Sequence, residues 1–387
     1  MAAPSDAGVG IYLHVPFCLR RCHYCDFNTY ADREALIPAY VAALRADIDA
    51  VAAAGPRAVG PPGSDGRGDW PTFDSVFVGG GTPTLLPAAD LAGILRLVAQ
   101  RFQLAGDAEV TVEANPETVD VEQMRVLADA GVTRVSIGAQ SFVPRVLDAL
   151  GRWHAPDAPL RAVEACRDAG VDQLSLDLIY GTPAESDADW RHSVRTALQT
   201  GVDHLSAYAL TVEAGTEYGR RVRLGTATAP DDDVQAQRME QVDAWAAAAG
   251  LARYELSNWA RPRAESVHNG IYWRGGDWLG IGAGAHGHWR GRRWWCMRSL
   301  ELYVRAALAG ESTVAGAEVP DAAQRRAERL LMGLRLRHGV DRQQVAPVDD
   351  VVVRRLADAG LLTATDDRLA LTSSGMRLAS AVTLELL

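Results

Sequence analysis

The chain has 387 residues, 48% of them hydrophobic and 23% charged, which is enough for one large core and a second small domain. Its formal net charge of −10 disfavours broad binding to nucleic acid or to anionic membranes. No apolar run reaches the length of about eighteen residues that a membrane span needs. The start of the chain also lacks the basic and apolar regions of a signal peptide, so we expect a cytoplasmic protein.

Short apolar runs alternate with longer helix-like segments through the first two-thirds of the chain. Six such pairs in succession predict a parallel β-sheet with helices outside it, an α/β fold whose chemistry lies at the carboxyl ends of the strands. The predicted strands lie near residues 11–15, 75–78, 109–113, 134–138, 173–178 and 204–210. The predicted helices cover residues 34–54, 89–101, 121–130, 158–169 and 188–200.

Three cysteines follow the first predicted strand in the spacing C-x3-C-x2-C: Cys18, Cys22 and Cys25. Three thiolates on one short loop can hold three irons of a [4Fe–4S] cluster and leave the fourth iron open, whereas a cluster that only carries electrons is usually closed by four cysteines. An open iron can bind and activate a small molecule. The alternatives are a zinc site completed by His23, a disulfide, or buried free thiols.

A glycine-rich turn follows the second predicted strand, at Gly79, Gly80, Gly81 and Thr82. Glycine lets the backbone approach a ligand closely, and Thr82 adds a hydroxyl group. Such a turn is weak evidence alone, but after a strand and together with the cysteine loop it strengthens the prediction of a cluster site.

Two other cysteines and an insertion carry no predicted chemistry. Cys166 lies in a predicted helix and is interpreted as a core residue, and Cys296 as a spare thiol rather than a ligand. Residues 55–69, rich in glycine, proline and polar residues, are interpreted as a surface insertion.

The pattern changes after residue 231. An Ala-rich helix is predicted at 232–249, a further strand at 254–258, and an irregular, aromatic and glycine-rich stretch at 259–295. A separate module begins near residue 321, with an Arg-rich helix at 325–337, a second helix at 351–359 and a hairpin at 361–371. In an acidic chain we expect the Arg-rich helix to be a solvated face or a docking surface rather than a DNA-binding element.

Seven segments, in one order along the chain, resemble the radical SAM superfamily and, within it, the oxygen-independent coproporphyrinogen III oxidase-like family. The best match is to the heme chaperone branch of that family, HemW. The segments are YLHVPFC at 12–18, CHYCDF at 22–27, GGGTPT at 79–84, VEANP at 112–116, SIGAQS at 136–141, LDLIYG at 176–181 and HNGIYW at 268–273.

The resemblance implies an open (β/α)6 partial barrel with a small C-terminal helical, winged-helix-like domain. The expected domains are residues 1–230 for the barrel, 231–320 for an extension that carries the HNGIYW segment, and 321–387 for the C-terminal domain.

The resemblance also implies a cofactor chemistry. S-adenosylmethionine would bind the open iron, and one electron from a donor such as flavodoxin or ferredoxin would cleave it to a 5′-deoxyadenosyl radical. The positions matched to cofactor contacts are Tyr12, Tyr24, Gly80, Gly81, Thr82, Glu113, Gln140, Arg152 and Asp177. Glu113 has the alternative role of capping the turn before Pro116. Asp177 is costly to bury unless paired, and Arg152 is its expected partner.

In the heme chaperone branch the HNGIYW segment is associated with heme binding. An imidazole is a common axial ligand of heme iron, and aromatic side chains can line the porphyrin face. The alternative is a structural cluster of histidine and aromatic rings. The candidate contacts are His268, Tyr272 and Trp273, with His286, His288 and His14 as alternative ligands.

Two functions therefore compete: a heme chaperone that binds heme and passes it to an acceptor protein, which can be membrane-associated, and an oxidase that decarboxylates coproporphyrinogen III. The oxidase pattern continues with another cysteine where this chain has Phe27, and oxidases carry a longer segment before the cluster, so we expect the chaperone. A third possibility is radical modification of tRNA or protein, but no RNA-binding module is evident and no nucleic-acid partner is expected.

Overall fold

The computed structural model describes residues 7–61 and 69–387. It confirms the predicted α/β barrel, because six parallel strands follow one another in space in chain order. These strands are β1 Val9–Val15, β2 Phe73–Gly80, β3 Leu104–Ala114, β4 Arg134–Gln140, β5 Gln173–Tyr180 and β6 His204–Ala209. The helices of this region are α1 Ile37–Val59, α2 Ala88–Arg101, α3 Val121–Ala128, α4 Pro144–Leu150, α5 Ala158–Asp168, α6 Asp187–Gln199 and α7 Glu217–Arg223.

The sheet extends beyond the six strands at both edges, in the region predicted to be largely irregular. Helix α8 Asp232–Ala248 leads into the hairpin of β7 Ala252–Glu255 and β8 Asn258–Ala260, which pairs with β6. At the other edge β9 Asp277–Ile281 lies parallel to β1, followed by β10 His286–Trp289, β11 Arg292–Cys296 and β12 Val314–Glu318. The order β12-β11-β10-β9-β1-β2-β3-β4-β5-β6-β8-β7 makes one open sheet of twelve strands across the described residues.

Two predictions in this region were therefore wrong. The single strand predicted at 254–258 is a hairpin, and the stretch at 259–295 contains helix α9 Val267–Trp273 and three strands. The cause is visible in β10, whose sequence His-Gly-His-Trp has a glycine instead of an apolar side chain at one of its two core-facing positions. Gly287 lies on the core face because Trp294 packs across it, while His286 and His288 occupy the opposite face.

The two faces of β1 show which side of the sheet packs in the hydrophobic core and which side faces the interior of the barrel. Ile11, Leu13 and Val15 are fully buried against the helix layer. Tyr12 and His14 alternate with them and face the interior of the barrel. Most of the buried apolar side chains belong to a single core between the sheet and its helices.

The insertion predicted at 55–69 is partly helical. Helix α1 runs to Val59 across a kink at Gly55, whose φ of 73° is a conformation that favours glycine. Residues 62–68 lie outside the described residues. Cys166 is buried in the core, as interpreted from the sequence, and Cys296, interpreted only as a spare thiol, is buried as well.

The C-terminal module contains the predicted helices and hairpin. Its elements are α11 Ala322–Gly333, α12 Asp350–Asp358, α13 Ser373–Arg377 and α14 Ala379–Leu386, with a small sheet of β13 Val340–Asp341, β14 Leu362–Ala364 and β15 Arg368–Leu371; α10 Leu300–Leu308 precedes it. The Arg-rich segment docks on the barrel, since the Arg335 guanidinium lies 4.5 Å from the ring centre of Trp273 and Glu328 forms an ion pair with Arg293. None of the helices at 7–61 and 69–387 is long and apolar enough to cross a membrane.

Helix α9, which carries the HNGIYW segment, is anchored by a buried carboxylate from β3. Glu109 accepts hydrogen bonds from the backbone N–H groups of Val267 and His268, both at 3.0 Å, and from the Ser266 hydroxyl at 3.3 Å. Arg134, also buried, lies 3.9 Å from the same carboxylate. A negative charge at a helix N-terminus is stabilising, and here it also balances a buried cation.

We therefore expect Glu109→Ala to destabilise the protein by roughly 3–5 kcal/mol, because the start of α9 would lose its three hydrogen bonds to the carboxylate and the buried Arg134 would lose a nearby anion. Urea unfolding followed by circular dichroism measures this loss. The exposed Glu311→Ala is the matched control and should change stability by about 0.5 kcal/mol or less. A loss for Glu109→Ala no larger than for the control would contradict the anchoring role.

Candidate functional site

The loop that carries the three cysteines is closed at its base by backbone hydrogen bonds. Phe17 and Tyr30 form an isolated parallel bridge. The Cys18 N–H donates to the Tyr30 carbonyl at 3.0 Å, and the Tyr30 N–H donates to the Pro16 carbonyl at 2.7 Å. Residues 18–29 therefore project as one loop from the carboxyl end of β1, where the sequence predicted the site.

The glycine turn after β2 is joined directly to this base. The N–H groups of Gly81 and Thr82 donate to the carbonyls of Val15 and Phe17, both at 2.7 Å. A Cβ atom at Gly81 would lie 2.5 Å from the Phe17 carbonyl oxygen, so no larger residue fits. Gly80 has a φ of 109°, and a Cβ atom there would lie 2.4 Å from the His14 ring. Both glycines are thus required by close approach.

Two polar side chains point at cysteine sulfurs. The Thr82 hydroxyl donates to Cys18 Sγ at 3.9 Å, and Nη1 of Arg152 donates to Cys22 Sγ at 3.6 Å. Burial raises the pKa of Cys18 to about 11 and also raises that of Cys25. Such thiols become thiolates when iron binds them, and the two donors then contact negatively charged sulfur. The donor set fits a [4Fe–4S] cluster.

The surroundings of His23 do not support the zinc alternative. Its ring Nδ1 lies 3.4 Å from the Ala149 carbonyl oxygen, and its backbone N–H donates to the Leu150 carbonyl at 3.1 Å. Within residues 7–61 and 69–387, no three His, Cys, Asp or Glu side chains converge on a point that could hold one metal ion. A [4Fe–4S] cluster does not need such convergence, since each thiolate binds a different iron. The five cysteines are free, so the disulfide alternative is not supported.

Glu113 lies at the end of β3 beside the glycine turn. Its Oε2 accepts a hydrogen bond from the Gly80 N–H at 2.9 Å, so the carboxylate caps the glycine turn rather than the turn before Pro116. Burial raises the pKa of Glu113 to about 7; the Gly80 hydrogen bond opposes this, and Asp177 adds to it. A carboxyl group that titrates near neutral pH in a cleft is typical of functional sites.

The expected pairing of Asp177 with Arg152 was wrong. Asp177 accepts hydrogen bonds from Ser136, at 2.9 and 3.1 Å, and from Ser175 at 3.3 Å. Burial raises the pKa of Asp177, and the nearby positive charge of Arg134 partly opposes this rise. Arg152 instead donates to the Gly138 carbonyl at 2.7 Å and to Cys22. Serine hydroxyls can donate the hydrogen bonds that a buried carboxylate needs. The apolar pattern of the strand does not reveal that such donors are present.

Gln140 ends β4 in a strained conformation. Its φ is 62°, which is uncommon for a residue with a side chain, and the register of β4 against β5 shifts between Gly138 and Gln140. The amide folds back over Gly138, where a Cβ atom would lie 2.8 Å from Nε2. Strain of this kind at a strand end is typical of ligand-binding positions.

Asn115 is a site residue that the sequence analysis quoted but did not assign. Its Nδ2 donates to the Thr82 hydroxyl at 3.1 Å, and its Oδ1 accepts from Arg152 at 2.9 Å. It therefore links the two side chains that contact the cysteines. The sequence feature that could have identified Asn115 is its position two residues after Glu113, at the carboxyl end of a predicted strand.

The two predicted tyrosines contact different parts of the site. The Tyr12 hydroxyl is hydrogen-bonded to His14 Nδ1 at 2.8 Å, and Glu113 is close enough to add to the effect of burial in raising the Tyr12 pKa. Tyr24 packs against a small apolar cluster that includes Leu150, and it lies beside Cys22 and Arg152.

His268 forms the centre of a buried cluster. Its side chain is 0% exposed, and both ring nitrogens are hydrogen-bonded at 2.7 Å, Nδ1 to the Ser75 hydroxyl and Nε2 to the Tyr272 hydroxyl. Its ring stacks on Phe77 with centres 5.1 Å apart. Burial lowers its pKa to about 3. His268 can bind iron only by giving up one of these bonds, so the structural alternative describes its arrangement here.

The other aromatic residues of the HNGIYW segment contact neighbouring elements. Trp273 stacks under Arg335 of the C-terminal module, and Tyr272 contacts Trp278 edge to face at 4.6 Å between ring centres. On β10, His288 Nδ1 lies 3.0 Å from Asp277 and 3.1 Å from the Gly276 carbonyl, whereas His286 is exposed. Partial desolvation of its ring, followed by the nearby charges of Arg298 and Arg293, lowers the pKa of His286 and favours the neutral imidazole.

Comparison with family models supports this arrangement. Residues 64–197 match the model of the radical SAM superfamily, and residues 321–378 match that of the HemN C-terminal domain. Among solved structures, coproporphyrinogen III oxidase (HemN) from Escherichia coli superposes with a TM-score of 0.81 at 20% identity, covering 98% of this chain and 90% of that one. At that identity the likeness shows a shared fold.

Curated relatives match over nearly the whole chain. The heme chaperone HemW of Mycobacterium tuberculosis is 46% identical over 381 residues, covering 98% of this chain and 94% of that protein. HemW of Bacillus subtilis is 31% identical over 96% of this chain and 97% of its own length, and HemW of Escherichia coli is 39% identical over 72% and 70%. With its cysteine loop, glycine turn and barrel now described, the chain belongs to the HemW heme chaperone family of the radical SAM superfamily.

Proposed function

We propose that this protein is a heme chaperone, which binds heme and transfers it to an acceptor protein, and that it carries a [4Fe–4S] cluster and S-adenosylmethionine. The observation that carries the proposal is the loop of Cys18, Cys22 and Cys25 joined to the glycine turn, in a chain 46% identical to a heme chaperone over 98% of its length. The acceptor is a heme-binding protein, and an electron donor of the flavodoxin or ferredoxin class would reduce the cluster.

Each part of the site has a role in this proposal. The three cysteines hold the cluster, and Thr82 and Arg152 donate to its sulfur ligands. When bound, the cluster supplies an open, one-electron-reducing iron, to which the amino and carboxylate groups of S-adenosylmethionine can bind. Gly80 and Gly81 offer backbone that can approach this ligand. The remaining polar contacts of the cofactor come from three neighbouring strands, through Glu113 on β3, Gln140 on β4 and Asp177 on β5, together with Tyr12 and Tyr24.

Against the oxidase alternative stands the residue two positions after Cys25. Phe27 is 62% exposed beside the cysteine loop, where the oxidase pattern has a further cysteine. The similarity to the solved oxidase extends to its fold, which hosts both functions. We also propose three domains: residues 1–230, residues 231–320 as an extension of the same sheet, and residues 321–387 docked through Arg335.

Replacing Cys18, Cys22 or Cys25 with Ala should abolish the [4Fe–4S] absorption and the EPR signal after anaerobic reconstitution, because two thiolates cannot hold the cluster in this loop. Cys166→Ala is the matched control and should keep both signals, since Cys166 lies in the core on α5. A full cluster in the triple variant would refute the assignment.

S-adenosylmethionine should bind more tightly as the pH rises between about 6 and 8, because the Glu113 carboxyl ionises near 7 and its anion attracts the cationic sulfonium ligand. Titration of the reduced cluster's EPR spectrum with the ligand at each pH measures the affinity. Glu113→Gln should flatten the profile, while the exposed Glu122→Gln should leave it unchanged. A steep profile that persists in Glu113→Gln would contradict the assignment.

The full-length protein should bind heme and should not convert coproporphyrinogen III to protoporphyrinogen IX. Hemin titration followed in the Soret band and an anaerobic assay with dithionite and S-adenosylmethionine, on the same reconstituted sample, test both halves. Steady protoporphyrinogen production without heme binding would contradict the chaperone function and support the oxidase function instead.

A further inference from the structure

On the basis of the proposed heme chaperone function, we propose that heme binds on the interior face of β9–β12, with His286 as its axial ligand. Alternation along β10 defines this face. Trp289 is 2% exposed on the core side, whereas His286 is exposed on the opposite side. Through its pairing with β9 and β1, the same face continues into the barrel interior at Tyr12.

Two indole rings flank His286 and supply the apolar surface that a porphyrin needs. Trp295 lies directly across from His286 on β11, with ring centres 6.2 Å apart, and its ring lies over the backbone of Gly316 on β12. Trp278 on β9 donates its indole N–H to the His286 carbonyl at 2.9 Å. Both rings are only partly buried. Large flat aromatic side chains left at the surface beside a histidine match the shape and the apolar character of a heme face.

A cation lies beside this surface. Arg298 is exposed, and it is near enough to His286 to influence the charge of its ring. Guanidinium groups bind carboxylates strongly, and heme carries two propionates at one edge. Arg293, which shares the face, is already paired with Glu318 and Glu328. Arg298 is therefore the cation assigned to a propionate.

The other histidines on this face are committed to protein partners. His268 is fully buried, and both of its ring nitrogens are hydrogen-bonded. Its partner Tyr272 in turn packs edge to face against Trp278. His14 is bonded through Nδ1 to Tyr12 and through Nε2 to the Asn28 carbonyl. His288 is held by Asp277. In this arrangement the HNGIYW segment shapes the wall of the heme surface, and His286 provides the ligand.

The proposed heme surface adjoins the cysteine loop. Nδ2 of Asn28, three residues after Cys25, donates to the carbonyls of Ala283 and Arg298, each at 3.0 Å. The loop that follows β9 and leads to His286 is thus tied directly to the cluster-binding loop. A heme held by His286 lies next to that loop, where the state of the cluster can influence its release.

The test uses the full-length protein and hemin as the probe. His286→Ala should lower heme affinity by at least about tenfold, since losing only an outer hydrogen-bond partner of a metal ligand already costs about 10–100-fold. His286→Met should keep binding but shift the Soret band and the resonance Raman spin-state markers, because a thioether replaces the imidazole. A merely structural role for His286 would not change the ligand spectrum.

His192→Ala is the control, since it removes an exposed histidine from α6, outside the proposed heme surface, and should leave the heme affinity and the Soret maximum unchanged. Unchanged heme affinity and spectrum in both His286 variants would overturn the assignment. If His268→Ala alone abolished the imidazole spectrum, the ligand would be His268, which also overturns it. Absence of heme binding by the unmodified protein would instead refute the chaperone function itself, and a retained cluster EPR signal in each variant verifies an intact fold.

Discussion

The whole site depends on a contact between two backbone segments that leaves no room for a side chain. Where β1 and β2 end, the N–H groups of Gly81 and Thr82 bond to the carbonyls of Val15 and Phe17. This contact holds the base of the cysteine loop against the glycine turn, and it requires glycine because a Cβ atom would overlap the Phe17 carbonyl. Thr82 can then reach Cys18, and Gly80 can reach Glu113, without further adjustment of the chain.

The far side of the cysteine loop is held by a second set of bonds, from outside the six-stranded barrel. The Tyr40 hydroxyl on α1 donates to the His14 carbonyl at 2.5 Å and accepts from the Ala283 N–H at 3.2 Å, which joins the end of β1 to the loop after β9. Asn28 bonds to the same loop. The cysteine loop is therefore held by both the barrel and the added strands β9–β12, so the heme surface proposed on those strands adjoins it.

The histidines illustrate the difference between a motif and a ligand. In sequence, His268 stands in the segment associated with heme, and His286 is one of two histidines in a glycine-rich run. In the fold, His268 is enclosed and both of its ring nitrogens are hydrogen-bonded, whereas His286 is exposed. Burial and hydrogen bonding decide which imidazole is available to iron, and neither property can be deduced from residue type.

The sequence alone determined the parallel barrel, the position of the cysteine loop, the glycine turn and the polar strand ends, because apolar runs, cysteine spacing and glycine all act over short stretches of chain. The tertiary structure decided what depends on distant residues. It paired Asp177 with serines rather than Arg152, inserted Asn115 between Thr82 and Arg152, and added strands beside β1 from a segment without regular alternation. The first two outcomes arise where side chains from separate strands must satisfy one another's hydrogen bonds, and the third arises from backbone pairing between distant segments. No local pattern encodes either condition.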